Sequence, residues 1–120
     1  MNYAPLPLEV INAFEPLAIQ WGVSEVARGI IEPALRGGMP PDWPHSFMLV
    51  YKRAKGNINK MPVWWQEERI RFIKRHYAQI ESKDEPLFYV DGMPTRRHIA
   101  LIFWAWSPVP DKLMKLLKRV

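Results

Sequence analysis

Apolar positions recur every three or four residues along residues 63–82, which is the spacing of one face of an α-helix. Four side chains form this stripe: Ile70, Ile73, Tyr77 and Ile80. Pro62 suits the first turn of a helix, where its missing N–H is not needed. The pattern therefore predicts a long helix that opens at Pro62, with Glu67 placed to pair with Arg71 one turn later.

The twelve prolines divide the rest of the chain into short segments, because proline opens or ends helices and biases the preceding residue away from helical geometry. Helices are predicted over 8–14, 16–21, 24–31, 44–55, 96–106 and 109–120. Ser24 and Thr95 are the expected N-caps of the helices that follow them. A strand stays open as an alternative for 46–53 and for 98–106, since both segments hold unbroken apolar runs.

The segment LFYVDGMPT, residues 87–95, contains the turn signal Asp91-Gly92. It fits either a small β-hairpin or the corner between two helices. A length of 120 residues is typical of one domain that holds its own core. We therefore expect a mainly α-helical fold, a single compact multi-helix domain over residues 1–120, with a small β-hairpin near residues 87–95 as the open alternative.

Charge is distributed unevenly along the chain. Residues 1–44 carry two basic and five acidic side chains, a net charge of −3, whereas residues 45–120 carry fifteen and seven, a net charge of +8. The sequence MPPDWP, residues 39–44, reads as a linker between an acidic helical segment, 1–38, and a basic segment, 45–120. Most aromatic residues also lie in the basic segment. Such a surface is typical of nucleic-acid binding, although ordinary solvated helices share it.

Motifs that carry catalytic chemistry are missing from the sequence. Without cysteine, the chain has no thiolate metal ligand and no thiol nucleophile. The three histidines, His45, His76 and His98, do not lie at ligand spacing from one another or from a carboxylate. We expect neither an enzyme nor a bound cofactor or metal.

The longest apolar run, residues 99–106, is far shorter than the roughly 20 residues that span a bilayer. The sequence begins MNYAPLPLEV, which lacks the basic start and long apolar core of a signal peptide. These observations, together with the absence of cysteine, predict a cytoplasmic protein with no membrane partner.

Residues 17–31 resemble the helix-turn-helix family, with a small packing residue at Ala18 and a turn at Gly22. Where the family has an apolar anchor in its second helix, this chain has Arg28 followed by Gly29. The corner also lies on the acidic side of the charge boundary, which opposes an approach to phosphates. These residues favour a packed helical hairpin.

Residues 91–102, DGMPTRRHIALI, resemble the turn and recognition-helix entry of several phage-type helix-turn-helix domains. The resemblance implies that Thr95 caps a helix whose first turn presents Arg96 and Arg97 to phosphates. Only this N-terminal end could touch nucleic acid, because the continuation ALIFWAW offers almost no polar position. The alternative is that both arginines merely solvate the start of a core helix.

Two further basic clusters are candidate phosphate contacts. The long helix carries Arg71, Lys74 and Arg75, with Arg69 a little around the cylinder, and the segment after 51 carries Lys52, Arg53, Lys55 and Lys60. Trp64 and Trp65 could stack on exposed bases, or pack on the core as tryptophans at a helix start usually do. The alternative, which the neighbouring glutamates favour for the helix face, is that both clusters are ordinary solvated surface.

The sequence therefore predicts a non-enzymatic, regulatory nucleic-acid-binding protein, with DNA favoured over RNA, that uses a basic and aromatic-rich C-terminal surface. The alternative is a protein-interaction module without nucleic-acid affinity. In that case the acidic segment meets a protein partner, or pairs with the basic segment of a second copy to form a homodimer.

Overall fold

The computed structural model describes residues 2–30 and 38–118 of the chain. In these two ranges the fold consists of five α-helices and one short 3-10 turn, without any β-strand. The elements are α1 Leu8–Trp21, α2 Phe47–Arg53, the 3-10 turn Ile58–Lys60, α3 Val63–Lys83, α4 Arg96–Ile102 and α5 Pro110–Lys118. The predicted mainly helical fold is confirmed. No helix in the described ranges is both long and apolar enough to cross a membrane.

Helix α4 lies at the centre of the molecule, where it contacts both α1 and α3. Its residues Ile99 and Ile102 belong to the main core, together with side chains from α1 and α2. Leu101 belongs to a second cluster that it forms with Ile73, Ile80 and Trp106. Burial on two sides explains the apolar run 99–106, which a surface helix would not carry.

Helix α3 begins after Pro62, as predicted. Its buried residues are Trp65, Arg69, Ile73 and Ile80, whereas Ile70 and Tyr77 are half-buried. The predicted stripe is therefore confirmed at Ile73 and Ile80. Arg69, which the sequence placed beside the basic face, is buried on the same side of the helix. Arg71 pairs with Glu67 at 3.9 Å, as expected, and more closely with Glu68 at 3.2 Å.

Helix α1 is continuous, so the predicted interruption before Pro16 is wrong. Pro16 lies on the exposed side of the helix, while Val10, Phe14 and Ala18 keep one face buried along its length. The favourable packing of this face outweighs the hydrogen bond that proline removes. The helix ends at Gly22, whose φ of 61° is the left-handed geometry that glycine adopts at low cost.

Residues 24–30 form successive turns, so the predicted helix from Ser24 is wrong over this range, and its last residue lies outside the described residues. Ser24 has a φ of 59°, not the extended geometry of an N-cap, and Gly29 has a φ of 83°. The Ala27 carbonyl accepts hydrogen bonds from Met48 N and Ser46 Oγ, both at 3.0 Å. This segment is bound to the start of α2 and does not form the second helix of a helix-turn-helix.

The small β-hairpin considered near residues 87–95 is wrong. One isolated antiparallel bridge joins Phe88 and Pro94, around a turn that the Asp91 carboxylate closes by accepting from Met93 N at 2.9 Å. Pro94 has no N–H to continue a ladder, and α4 starts two residues later. The pairing therefore cannot extend into strands.

Both strand alternatives are also wrong. Ser46 caps α2 by accepting from Leu49 N at 3.3 Å, so 46–53 is helical, although shorter than the predicted 44–55. Helix α4 covers only the first part of 96–106 and gives way to a turn in which Ala105 has a φ of 59°. The tail helix is confirmed over α5, with Leu113 buried; its last predicted inward residue, Val120, lies outside the described residues.

The N-terminal segment is bound to this turn. Leu6 N donates to the Ala105 carbonyl at 2.8 Å, and Trp106 Nε1 donates to the Asn2 carbonyl at 2.8 Å. The Tyr51 hydroxyl donates to the Leu6 carbonyl at 2.7 Å. Side chains from the middle and the end of the described chain thus hold residues 2–6 in place.

Candidate nucleic-acid interface

The first predicted cluster, at the start of α4, is engaged in contacts within the protein. Thr95 is confirmed as the N-cap: its Oγ1 accepts from His98 N at 3.3 Å and donates to the Pro86 carbonyl at 3.2 Å. Arg96 donates to the Trp21 carbonyl at 2.8 Å, at the end of α1, where helix carbonyls favour a cation. Thr95 is buried, whereas Arg96 is exposed although anchored.

Arg97 is held by three side chains. Its guanidinium pairs with Glu85 at 2.7 Å, donates to Gln79 Oε1 at 2.6 Å and lies 3.3 Å from His76 Nδ1. The side chain is 29% exposed. Arg97 therefore ties α4 to the end of α3, and Glu85 offsets much of its charge.

The second predicted cluster lies on α3, and acidic neighbours neutralise some of its members but not others. Arg71 contacts both Glu67 and Glu68. Lys74 and Arg75 are exposed, and neither forms an ion pair with any of the residues that the structure describes. The Arg75 guanidinium lies 5.8 Å from the Phe72 ring centroid. These two cations are the best placed of this cluster to meet a phosphate.

The third predicted cluster, at the end of α2, is partly covered. Lys52 pairs with Glu15 of α1 at 3.6 Å. Arg53 donates to the Asp42 carbonyl at 2.9 Å and lies 4.4 Å above the Trp43 ring. Lys55 is exposed, at a positive φ of 56°. The acidic and basic segments of this chain therefore meet within one molecule, at Lys52 and at Arg96.

His76 connects the first two clusters. Burial lowers the pKa of His76 below its usual value, and the nearby charges of Arg75 and Arg97 lower it further. Both arginines therefore lie close enough to this one ring for their charges to act on it. The α3 and α4 clusters are neighbours, and among the described residues no hydrogen bond or ion pair joins either of them to Lys52, Arg53 or Lys55.

Stacked rings run inward from His76. Phe72 stacks on His76 with centroids 4.0 Å apart and on Trp104 at 4.6 Å. Trp104 stacks on Phe47 at 4.6 Å, and Phe47 stacks on Tyr51 at 5.7 Å. Phe72 and Trp104 are half-buried, so the outer part of this column is the accessible stacking surface.

A groove of about 250 Å³ opens beside this column. Its walls come from α3, the end of α4 and the turns that follow α1, including Glu68, Phe72, Arg75, Trp104, Ser24 and Val26. Arg75 stands at the groove and Lys74 is its neighbour on α3. The sequence indicated Arg75 but neither Phe72 nor Trp104, and of the two tryptophans it proposed for stacking, Trp65 is only 3% exposed.

Arg69 was also placed wrongly, because it is a core residue and not part of the basic face. It is 2% exposed and donates to the carbonyls of Trp104, at 2.8 Å, and Ala105, at 2.9 Å. Burial lowers the Arg69 pKa to about 10, which leaves it charged at neutral pH; the nearby Tyr51 partly opposes this shift. Arg69 therefore fixes the backbone of Trp104, a groove residue.

His98, the buried histidine of α4, has a structural role. His98 Nδ1 lies 2.9 Å from the Leu87 carbonyl, and its Nε2 lies 2.8 Å from Ser107 Oγ. Burial lowers the His98 pKa to about 4, so the ring is neutral at pH 7. Across 2–30 and 38–118, no three His, Asp or Glu side chains are grouped so that they could hold a metal ion.

No protein-family model, curated protein or solved structure matches this chain. The groove and its charged residues are therefore the basis for a functional proposal.

Proposed function

We propose that the protein binds nucleic acid without catalysing a reaction, through the groove between α3, α4 and residues 23–30. The observation that carries this proposal is the position of Arg75, an exposed cation, at a groove walled by Phe72 and Trp104. A cation at the edge of a groove can hold a phosphate backbone while bases stack on accessible aromatic rings in its walls. We infer a regulatory role with DNA as the favoured ligand.

Single-stranded nucleic acid fits this groove better than duplex. Aromatic walls are useful to bases that are unstacked, and a duplex keeps its bases stacked. Helix α4 is buried on two sides by the cores it joins, so it cannot enter a major groove as a recognition helix does. Arg97, at its start, is already bound to Glu85.

The paired and unpaired cations should contribute unequally. Arg71 shares its charge with Glu67 and Glu68, whereas Lys74 and Arg75 have no such partner in the described ranges. Each phosphate that a cation neutralises releases counterions, which adds about 0.7 to the salt dependence of binding to a single strand. Lys74 and Arg75 should therefore account for most of the salt dependence that α3 contributes.

Replacing Lys74 and Arg75 together with alanine should weaken binding to a single-stranded oligonucleotide roughly tenfold at low salt and lower the salt slope by about 1.4. Fluorescence anisotropy with labelled single-stranded and duplex DNA and RNA, at several salt concentrations, measures both quantities. The double variant Lys112→Ala and Lys115→Ala removes the same charge from α5, and it should change affinity less than twofold.

The absence of binding to every one of these nucleic acids at low salt would overturn the proposal. Equal losses in the two double variants would also contradict it, because they would indicate diffuse attraction to a basic protein and not a groove.

Self-association is a second candidate function, favoured by an apolar patch around Gly29. Val26, Ile30 and Leu49 are 45%, 66% and 43% exposed, and Gly29 lies directly against the Leu49 side chain. Exposed apolar side chains that lie together commonly mark an interface. If two copies pair through this patch, light scattering should show a concentration-dependent dimer, and Leu49→Glu should abolish it. A monomer at all concentrations would eliminate this candidate.

A further inference from the structure

Two buried ring nitrogens have no hydrogen-bond partner within the described ranges: Trp65 Nε1 and His45 Nε2. Trp65 is 97% buried, since only 3% of it is exposed. Both residues line one cavity of about 60 Å³, together with Phe47, Trp64 and Trp104. Buried indole N–H groups normally have a partner, and a molecule bound in this cavity can supply the acceptor that Trp65 lacks among the described residues.

The cavity adjoins the groove described above. Four residues line both spaces: Val26, Ala27, Glu68 and Trp104. The two spaces are therefore neighbours, and these shared side chains lie between a molecule in the groove and the cavity that Trp65 and His45 line. The two spaces differ in size, about 60 Å³ for the cavity and about 250 Å³ for the groove.

These volumes limit what each space can hold. An apolar cavity that takes up a benzene ring has a volume of about 150 Å³, so the smaller space here cannot enclose a ring. It can enclose one or two polar atoms at the edge of a ring. The groove is large enough for the ring itself, against Phe72 and Trp104.

The residues that line the cavity determine which polar atoms it can hold. Trp65 Nε1–H can only donate, so it needs an acceptor. The cavity is lined mainly by apolar and aromatic side chains, where a buried charge is costly, and this favours a neutral carbonyl oxygen or ring nitrogen over a phosphate or carboxylate. Aromatic walls favour a flat ring behind that acceptor. A nucleobase combines these features.

We propose that the cavity receives the hydrogen-bonding edge of one unstacked nucleobase, which accepts a hydrogen bond from Trp65 Nε1–H while its ring lies in the groove. This inference rests on the proposed function and adds a base-reading position to it. Neither ring nitrogen is exposed to solvent here, so entry of the base requires a side-chain adjustment, which is common at binding interfaces.

Trp65→Phe removes the donor and keeps an aromatic ring. It should weaken binding to a single-stranded oligonucleotide five- to tenfold, as expected for one buried neutral hydrogen bond, and leave the salt slope unchanged because no phosphate contact is lost. Trp21→Phe is the matched control, because Trp21 packs on Tyr89 and does not line the cavity. It should bind like the unaltered protein.

The indole N–H signals of the unaltered protein provide a readout that does not depend on a variant. Six tryptophans give six such signals, and the Trp65 signal, assigned from the intact protein, should move downfield on addition of an oligonucleotide or of free nucleosides. If oligonucleotides bind and this signal stays in place, the base-reading position is wrong although nucleic-acid binding stands. If nucleosides move it and no oligonucleotide binds, the cavity takes bases but the proposed function fails. If no addition changes any signal, both proposals fail.

Discussion

Replacing Arg69 with methionine should lower the free energy of unfolding by about 3 kcal/mol, the largest effect that we expect from a single substitution in this protein. The variant keeps a long side chain in the core but leaves the Trp104 carbonyl without its donor. The Ala105 carbonyl loses one of two donors and keeps Leu6 N. Urea denaturation followed by tryptophan fluorescence measures the loss.

Arg71→Met is the matched control, because it makes the same change two residues away on the exposed side of α3. The Arg71 side chain is 55% exposed, and among the described residues its ion pairs are with Glu67 and Glu68, so its loss should cost less than about 0.5 kcal/mol. A cost below about 1 kcal/mol for Arg69→Met would mean that apolar packing replaces the buried charge, as happens at some buried ion pairs. The role assigned to Arg69 would then be wrong.

The second large effect is a loss of stability in acid. His98 has a pKa of about 4 in the folded protein, against its usual value of 6.5 when the chain unfolds. Above pH 6.5 the His98 ring is neutral in both the folded and the unfolded protein, so burial of this ring carries no protonation cost. As the pH falls toward 4, the unfolded chain takes up a proton that the folded one does not, and stability falls by about 3 kcal/mol.

His98→Asn should be less stable at pH 7 but should lack this part of the pH dependence. For each protein we would measure how much the free energy of unfolding falls between pH 7 and pH 4. The variant and the unaltered protein share the same carboxylates, so a difference between their two falls is due to His98. His76→Asn is the control, because His76 is only half-buried and should leave most of the dependence in place. Identical pH profiles for His98→Asn and the unaltered protein would show that His98 does not control acid stability.

The fold could be predicted where local signals agreed with packing. Pro62 and the apolar period defined α3, and Thr95 and the amphipathic tail defined α4 and α5. Predictions failed where tertiary contacts overrode a local preference. Pro16 is tolerated because the buried face of α1 continues past it. Residues 24–30 do not form a helix, since the Ala27 carbonyl bonds to the start of α2.

Of the candidate site, the sequence predicted only the charged residues. Lys74 and Arg75 were identified because charge is visible in a sequence, whereas the groove between Phe72 and Trp104 depends on which rings meet across α3 and α4. The same limit explains Arg69, because the sequence does not indicate that an arginine can be buried beneath two backbone carbonyls. Thr95 was placed correctly as a cap, and the structure engages it and Arg97 in internal contacts.

The attachment of residues 2–6 to the turn at 105–106 has a consequence for how the protein folds during its synthesis. The Asn2 and Leu6 backbone bonds span about 100 residues, so they cannot form until the second partner has been made. Long-range closure of this kind slows folding, since chain entropy is lost before the contact is gained. The part of α1 that packs on α4 and α5 should therefore stay uncovered for most of translation, a state in which chaperones that bind exposed apolar helices would find it.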